Sequence, residues 1–101
     1  MTIQYGRVEE TLELSERYTL HGTTTESIFV LEGGILALHG VCEGDVVVES
    51  EGEAYIYGTV EGNVANQGGH VEIYGTVEGT VQKTDQDTTI HESADVRGEV
   101  I

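Results

Sequence analysis

A segment of 17 or 18 residues repeats along almost the whole chain. The clearest copies open at Leu38, Ile56 and Ile73, where the sequence reads LHGVCEGDV, IYGTVEGNV and IYGTVEGTV. These three copies are offset by 18 and then by 17 residues. Self-similarity at a short fixed period is typical of solenoids, in which each repeat forms one coil. The repeat therefore predicts an elongated fold whose function lies on its long surface or at its ends.

Weaker copies extend the repeat toward both ends of the chain. One opens at Leu20, a degenerate one opens near Gln4, and a last one, with two extra residues, opens at Ile90. We predict about six coils of 16–19 residues in one domain spanning residues 1–101, of which the first coil, residues 4–19, is degenerate.

Within each coil, short stretches of alternating apolar and polar residues are interrupted by glycine, as in the run Gly44 to Val48. Alternation indicates strands and glycine indicates turns. The sequence contains no proline, which suits uninterrupted strand ladders. These features predict an all-β fold, a single parallel β-helix in which equivalent residues stack about 4.8 Å apart.

Aligning the copies predicts four inward columns, filled mostly by β-branched residues as expected for stacked, pleated surfaces. The columns are Gln4, Leu20, Leu38, Ile56, Ile73, Ile90; Val8, Thr24, Cys42, Val60, Val77, Val96; Leu12, Ile28, Val46, Val64, Val81, Val100; and Tyr18, Leu36, Ala54, Val71, Thr88. Turns are predicted at Gly33–Gly34, Glu51–Gly52, Gly68–Gly69 and Gln86.

Two rows of surface residues are candidate binding sites. The residue after the first inward column is always Tyr or His: Tyr5, His21, His39, Tyr57, Tyr74 and His91. Such a stripe is either a structural stack of rings or a binding ridge, since aromatic side chains make large contacts at interfaces. The residue after the second column is mostly acidic: Glu9, Glu43, Glu61 and Glu78, with Thr25 and Arg97 breaking the series. This row is either a solvated negative face or one that pairs with Lys and Arg of a partner.

The charge of the chain narrows the choice of partner. Nineteen acidic residues against four basic ones give a formal net charge of −15. Nucleic-acid binding needs Lys and Arg to neutralise phosphates, and an anionic membrane surface repels acids, so neither partner is expected. A basic protein is favoured.

Cysteine usage and hydropathy indicate the compartment. The single cysteine, Cys42, falls on an inward column and excludes an intramolecular disulfide, which fits a reducing cytosol. The sequence shows neither a signal-peptide pattern nor an apolar run of membrane-spanning length. We therefore expect a cytoplasmic protein.

The glycine-bounded runs resemble the bactofilin family. The matching segments are Gly-Thr-Val-Glu-Gly-Asn-Val from Gly58 to Val64 and Gly-Thr-Val-Glu-Gly-Thr-Val from Gly75 to Val81. The resemblance implies a right-handed parallel β-helix that polymerises end to end without nucleotide. A left-handed hexapeptide helix is disfavoured, because its six-residue register would place Gly44 and Gly62 at aliphatic positions.

Three functions follow as hypotheses. The first is a non-catalytic acidic protein-binding module, most concretely an immunity protein or inhibitor that covers the positive cleft of a basic toxin or enzyme. The second is a bactofilin-like scaffold that self-assembles through its terminal coils, at Ile3 and Tyr5 on one side and Val96, Val100 and Ile101 on the other. The third is an enzyme, including a metal-dependent one that uses His21 and His39. No catalytic set stands out, and two histidines without a third ligand are weak evidence, so no cofactor or metal is expected.

Overall fold

Short strands recur three times per coil and stack on their counterparts in the next coil, so the chain forms an all-β parallel solenoid of about five turns. The computed structural model describes residues 1–83 and 87–101. Within these ranges the chain contains no helix.

The solenoid has three parallel sheets, each contributing one strand per coil. Sheet A comprises β1 (Thr2–Gln4), β4 (Arg17–Leu20), β7 (Ile35–Leu38), β10 (Glu53–Ile56), β13 (His70–Ile73) and β16 (Asp87–Ile90). Sheet B comprises β2 (Arg7–Val8), β5 (Thr23–Thr24), β8 (Val41–Cys42), β11 (Thr59–Val60), β14 (Thr76–Val77) and β17 (Asp95–Val96). In the described ranges, sheet C comprises β3 (Leu12–Leu14), β6 (Ile28–Val30), β9 (Val46–Glu49), β12 (Val64–Gln67) and β15 (Val81–Lys83).

The strand register confirms all four predicted inward columns. In sheet A, for example, Leu38 pairs with Leu20 on one side and with Ile56 on the other. An isolated parallel bridge between Val81 and Val100 completes the third column. Column residues of the central coils are completely buried, whereas those of the first and last coils keep some solvent exposure. The core is therefore one continuous apolar column whose side chains become less buried toward both ends.

The number of turns is close to the predicted six coils. The chain passes six times through sheets A and B, and six passes enclose about five full turns. The degenerate first coil takes part as a regular member, because β1 and β2 pair in register with β4 and β5. Right-handed winding stays a prediction.

The predicted turns between sheets C and A require unusual backbone geometry. Gly33, Glu51 and Gly68 occupy equivalent places in successive coils, and their φ angles are 84°, 69° and 122°. Glycine adopts positive φ without steric cost, whereas Glu51 has a Cβ that disfavours it. The predicted turn at Gln86 lies outside the described residues.

Asn66 is a polar residue in the core. Its column in sheet C contains Val30 and Val48, yet the Asn66 side chain is fully buried. Its Oδ1 accepts hydrogen bonds from the backbone N–H groups of Gly68 (3.2 Å) and Gly69 (2.8 Å). Its Nδ2 donates to the carbonyl oxygen of Asp87 at 3.3 Å and to Oγ1 of Thr88 at 2.8 Å. Because these bonds satisfy both ends of the amide, burial is tolerated and the turn is fixed to the next coil.

Thr24 is the weak point of the second inward column. Its side chain is completely buried, and its Oγ1 has no hydrogen-bond partner in the described part of the chain. An unsatisfied buried polar group costs about 1–3 kcal/mol.

We expect Thr24→Val, which has the same shape, to raise the free energy of unfolding by about 1 kcal/mol, measured by urea denaturation. The neighbouring Thr23→Val, half-buried on the outer side, is the matched control without this gain. Equal effects of the two substitutions would contradict the assignment.

Candidate functional site

The six Tyr and His residues predicted as a stripe form one continuous stack of rings, here called the Tyr/His ladder. Neighbouring ring centroids lie 5.0, 4.9, 4.8, 4.9 and 3.9 Å apart, and neighbouring planes differ by 9–16°. The order along the stack is Tyr5, His21, His39, Tyr57, Tyr74, His91. Because each inner ring is covered on both faces by its neighbours, the ladder presents ring edges, and not ring faces, at the surface.

The backbone of the corner places the ladder. Each ladder residue follows the last residue of a sheet A strand, and from the second coil onward its N–H donates to a carbonyl of the preceding coil, as from Tyr57 to Leu38 at 2.8 Å. A glycine follows in the first five coils. A Cβ added at Gly58 would lie 2.0 Å from the carbonyl oxygen of Gly40. At Gly22, Gly40, Gly58 and Gly75 only glycine lets one backbone lie this close to the next, and the rings before these glycines come within stacking distance.

The acidic row lies on the other side of sheet B, and it is here called the Glu row. In the fourth coil, Tyr57 and Glu61 are separated only by Gly58 and strand β11. Both are exposed, as are Glu9, Glu43 and Glu78. The backbone N–H of each member from the second coil onward donates to the carbonyl of the inward residue one coil earlier, so the row is in register. Stacked carboxylates at this spacing repel one another.

An arginine lies at each end of the Glu row: Arg7 lies beside its first member, Glu9, and Arg97 is its last member. Arg7 Nε lies 2.9 Å from Glu9 Oε2, and Arg97 Nε lies 3.2 Å from Asp95 Oδ2. Among the described residues, Glu43, Glu61 and Glu78 form no salt bridge. The middle of the row is therefore an exposed negative strip without internal neutralisation.

A second set of cross-coil bonds, which the sequence reasoning missed, fixes the corner after the Glu row. Ser27 Oγ accepts from Asp45 N at 3.2 Å, Asp45 Oδ1 accepts from Asn63 N at 2.8 Å, and Asn63 Oδ1 accepts from Thr80 N at 2.8 Å. The available signal was that each of these residues has a short polar side chain at the same repeat position.

Glu72 binds the C-terminal part of the ladder and was also missed. The Tyr74 hydroxyl donates to Glu72 Oε1, and His91 Nε2 lies 3.5 Å from the same oxygen. Nε2 of His70 lies 2.7 Å from Glu72 Oε2. The hydrogen bonds from Tyr74 and then from His70 lower the pKa of Glu72 to about 2, and the pKa of Tyr74 is raised to about 12 by its bond to Glu72. The signal was the alternation His70, Glu72, Tyr74 on one outward face.

An open acidic groove lies beside this cluster. Its volume is about 540 Å³, and its lining includes Glu51, Glu53, Asp87, Tyr55 and His70. The Tyr55 hydroxyl donates to Glu53 Oε1 at 2.7 Å, and this bond raises the pKa of Tyr55 to about 12. The groove therefore places further carboxylates on the outer face of sheet A.

The described residues contain no group of three or more His, Cys, Asp or Glu side chains arranged to hold a metal ion. His21 and His39 stack face to face with centroids 4.9 Å apart. Cys42 is buried as predicted, and burial raises the pKa of its thiol to about 11. No helix in the described ranges is long and apolar enough to cross a membrane.

The terminal residues predicted for self-assembly lie at opposite ends of the solenoid. Ile3, Val100 and Ile101 are 48%, 44% and 61% exposed, whereas Val96 is half-buried against the core. Tyr5 is the outermost ring of the ladder, and one face of that ring is not covered by another ladder residue. Of the six large exposed apolar side chains in the described residues, all but Tyr57 belong to the first or last coil.

Comparisons with protein families, with curated proteins and with solved structures return no match for this chain.

The Glu72 network can be tested through its tyrosine. Glu72→Gln removes the charge that holds the Tyr74 proton, so we expect the pKa of Tyr74 to fall from about 12 toward its ordinary value of 10.0. Nuclear magnetic resonance titration of the Tyr74 ring measures this change separately from the other four tyrosines. Glu78→Gln removes an acid of the Glu row that forms no hydrogen bond to a tyrosine among the described residues, and it should leave the titration unchanged. A high Tyr74 pKa that persists in Glu72→Gln would show that another group causes it.

Proposed function

We propose that this chain is a non-catalytic, acidic protein-binding module whose contact face combines the Tyr/His ladder with the Glu row. One observation carries the proposal: the ladder is continuous, Glu43, Glu61 and Glu78 follow one another in consecutive coils, and the two rows flank the short strands of sheet B in register. The proposed contact residues are the six ladder residues together with Glu43, Glu61 and Glu78.

The chemistry of this face favours a basic partner. The carboxylates of Glu43, Glu61 and Glu78 repel one another, and Lys or Arg side chains of a partner would relieve that repulsion. The net charge of −15 would attract a positively charged protein over long range and accelerate the encounter.

The ladder favours a pre-organised contact. Tyrosine hydroxyls and histidine nitrogens at the ring edges donate and accept hydrogen bonds, and aromatic side chains are enriched at interfaces. Because the rings already stack on one another, binding would immobilise few side chains, which lowers the entropic cost of association.

The most concrete form of this function is an immunity protein or inhibitor in the cytosol. A basic nuclease or similar toxin binds its phosphate substrate in a positive cleft, and an acidic solenoid of 30 × 25 × 19 Å can cover such a cleft without any chemistry of its own. The absence of a match to a known family leaves the identity of the partner to experiment.

The contact face is tested by charge reversal. A panel of basic nuclease domains is screened for inhibition, and association with the best-bound member is measured by stopped flow. The triple substitution Glu43→Lys, Glu61→Lys and Glu78→Lys should slow association at least tenfold at low salt, because it removes the steering field at the contact.

The matched control makes the same change in net charge at positions away from the proposed contact face. Glu13→Lys, Glu32→Lys and Glu49→Lys alter exposed acids on or next to sheet C, and they should slow association much less. Equal loss in both triple variants would make the effect one of net charge alone. Failure of every basic nuclease to bind would contradict the inhibitor form of the proposal.

A second candidate, a bactofilin-like self-assembling scaffold, is favoured by the charges at the two ends. The Glu row begins with Glu9 and ends with Arg97, and the neighbouring column begins with Arg7 and ends with Asp95. If the last coil of one copy stacked on the first coil of another in the same register, Arg97 would meet Glu9 and Asp95 would meet Arg7. The exposed apolar residues at both ends would become buried in the same contact.

The scaffold is tested by a charge swap between the ends. Arg97→Glu should prevent assembly by placing like charges across the junction, and adding Glu9→Arg should restore it. Val100→Asp, which puts a charge at the apolar end of the core, should abolish assembly without rescue. Light scattering and negative-stain microscopy measure the outcome. Polymers that form normally in Arg97→Glu and Val100→Asp would exclude assembly through these ends.

A further inference from the structure

His70 occupies an unusual position between two carboxylates on different strands. It lies in β13, and its Nε2 is 2.7 Å from Glu72 Oε2 on the same strand. Its other ring nitrogen, Nδ1, is 3.2 Å from Oδ2 of Asp87, the first residue of β16 in the last coil. The His70 side chain is 30% exposed, whereas that of Asp87 is 77% exposed. His70 therefore links the last strand of sheet A to the coil before it.

Neutral histidine cannot satisfy both of these partners. A neutral imidazole carries one N–H donor, and its other nitrogen offers a lone pair. A carboxylate facing that lone pair is repelled and gains no hydrogen bond. Only the imidazolium, which donates from both nitrogens, matches the arrangement of Glu72 and Asp87.

We propose that His70 is a pH-sensitive latch that holds β16, the last strand of sheet A, against the preceding coil. Protonated, it bridges Glu72 and Asp87; deprotonated, it keeps the shorter bond to Glu72 and releases the more exposed Asp87. The inference concerns the stability of the last coil and does not depend on either proposed function.

Four of the ionisable groups around His70 are carboxylates, which favour its charged form. The ionisable residues around His70 lie on three neighbouring strands and at the groove. They are Glu53 and Tyr55 of β10, Glu72 of β13 with Tyr74 directly after that strand, Asp87 of β16 with His91 directly after that strand, and Glu51 at the groove. The Tyr55 ring lies 5.8 Å from the His70 ring and tilts 57° against it. None of these residues is Lys or Arg, so the surroundings favour the positive form of His70.

The direction of the pH effect follows from the two pKa shifts. The hydrogen bond to Glu72 is the largest cause that raises the pKa of His70 above its ordinary value of 6.5; burial opposes it, and the contact with Asp87 adds to the rise. A raised histidine pKa contributes stability that is complete below the ordinary value and is lost as the pH rises through the folded-state value. The pKa of Glu72 is lowered from 4.5 to about 2, so its contribution is complete above 4.5. Both contributions are therefore complete between pH 4.5 and 6.5.

A second tether of the same strand does not respond to pH. The buried amide of Asn66 donates to the Asp87 carbonyl and to Thr88 Oγ1, and an amide does not titrate. Deprotonation of His70 should therefore loosen β16 without detaching the whole coil. The expected effect is local opening of residues Asp87 to Ile90.

Hydrogen exchange of the β16 amides tests the latch directly. Exchange is measured at about pH 5.5 and about pH 8, either side of the ordinary histidine range, and corrected for the chemical exchange rate. In the unmodified chain we expect protection of β16 to fall about twofold to fivefold at the higher pH, the scale of a partly exposed ion pair. In His70→Gln the fall should disappear. The matched control His21→Gln, which removes a histidine with no carboxylate partner among the described contacts, should keep it.

A second variant keeps the test decisive if His70→Gln is poorly folded. Asp87→Asn preserves the shape of the partner but removes its charge, so the pH-dependent fall should shrink, and the pKa of His70, followed by nuclear magnetic resonance, should decrease. The proposal is overturned if β16 is equally protected at both pH values, or if His70→Gln or Asp87→Asn retains the full fall.

Discussion

Every surface of this protein depends on one constraint, the in-register parallel stacking of coils at the spacing of a β-sheet. The spacing is possible at the corners because glycines let one backbone lie directly on the next; at Gly22, Gly40, Gly58 and Gly75 an added Cβ would lie 1.8–2.1 Å from a carbonyl oxygen one coil earlier. The same register that buries the valine, leucine and isoleucine columns stacks six aromatic rings on the outside and aligns the Glu row beside them. Core and surface are thus two consequences of one repeat.

The repeat made the columns predictable. Because period-2 alternation decides which residues point inward, aligning the glycines was sufficient to assign all four inward columns, the ladder and the Glu row. Contacts that depend on side-chain reach were not predictable. Asn66 aligned with valines, and only the structure explains how a buried amide replaces them, through two backbone donors and two acceptors. The Glu72 network was missed because it joins side chains of two passes of the chain: Tyr74 and His70 come from the strand of Glu72 or follow it, and His91 comes from the next coil.

The two proposed functions place opposite demands on the charge of the protein. A net charge of −15 makes copies of the chain repel one another, while it attracts a basic partner. The end columns nevertheless bring Arg97 and Glu9 to complementary places, so local attraction at the junction opposes the overall repulsion. Local pairs between exposed charges are each worth about 0–1 kcal/mol, so burial of the apolar end residues would have to supply most of the energy of assembly. We therefore place the binding face ahead of the ends.

Size-exclusion chromatography with light scattering at low and high salt tests this ranking most directly. Salt screens the repulsion between copies, so any tendency to stack through the ends increases with ionic strength. We predict a monomer of 10.9 kDa at every salt concentration, with the ladder and the Glu row free to bind a basic protein. A mass that grows as salt is added, with filaments in the same samples under the microscope, would contradict this prediction and assign the function to the terminal coils.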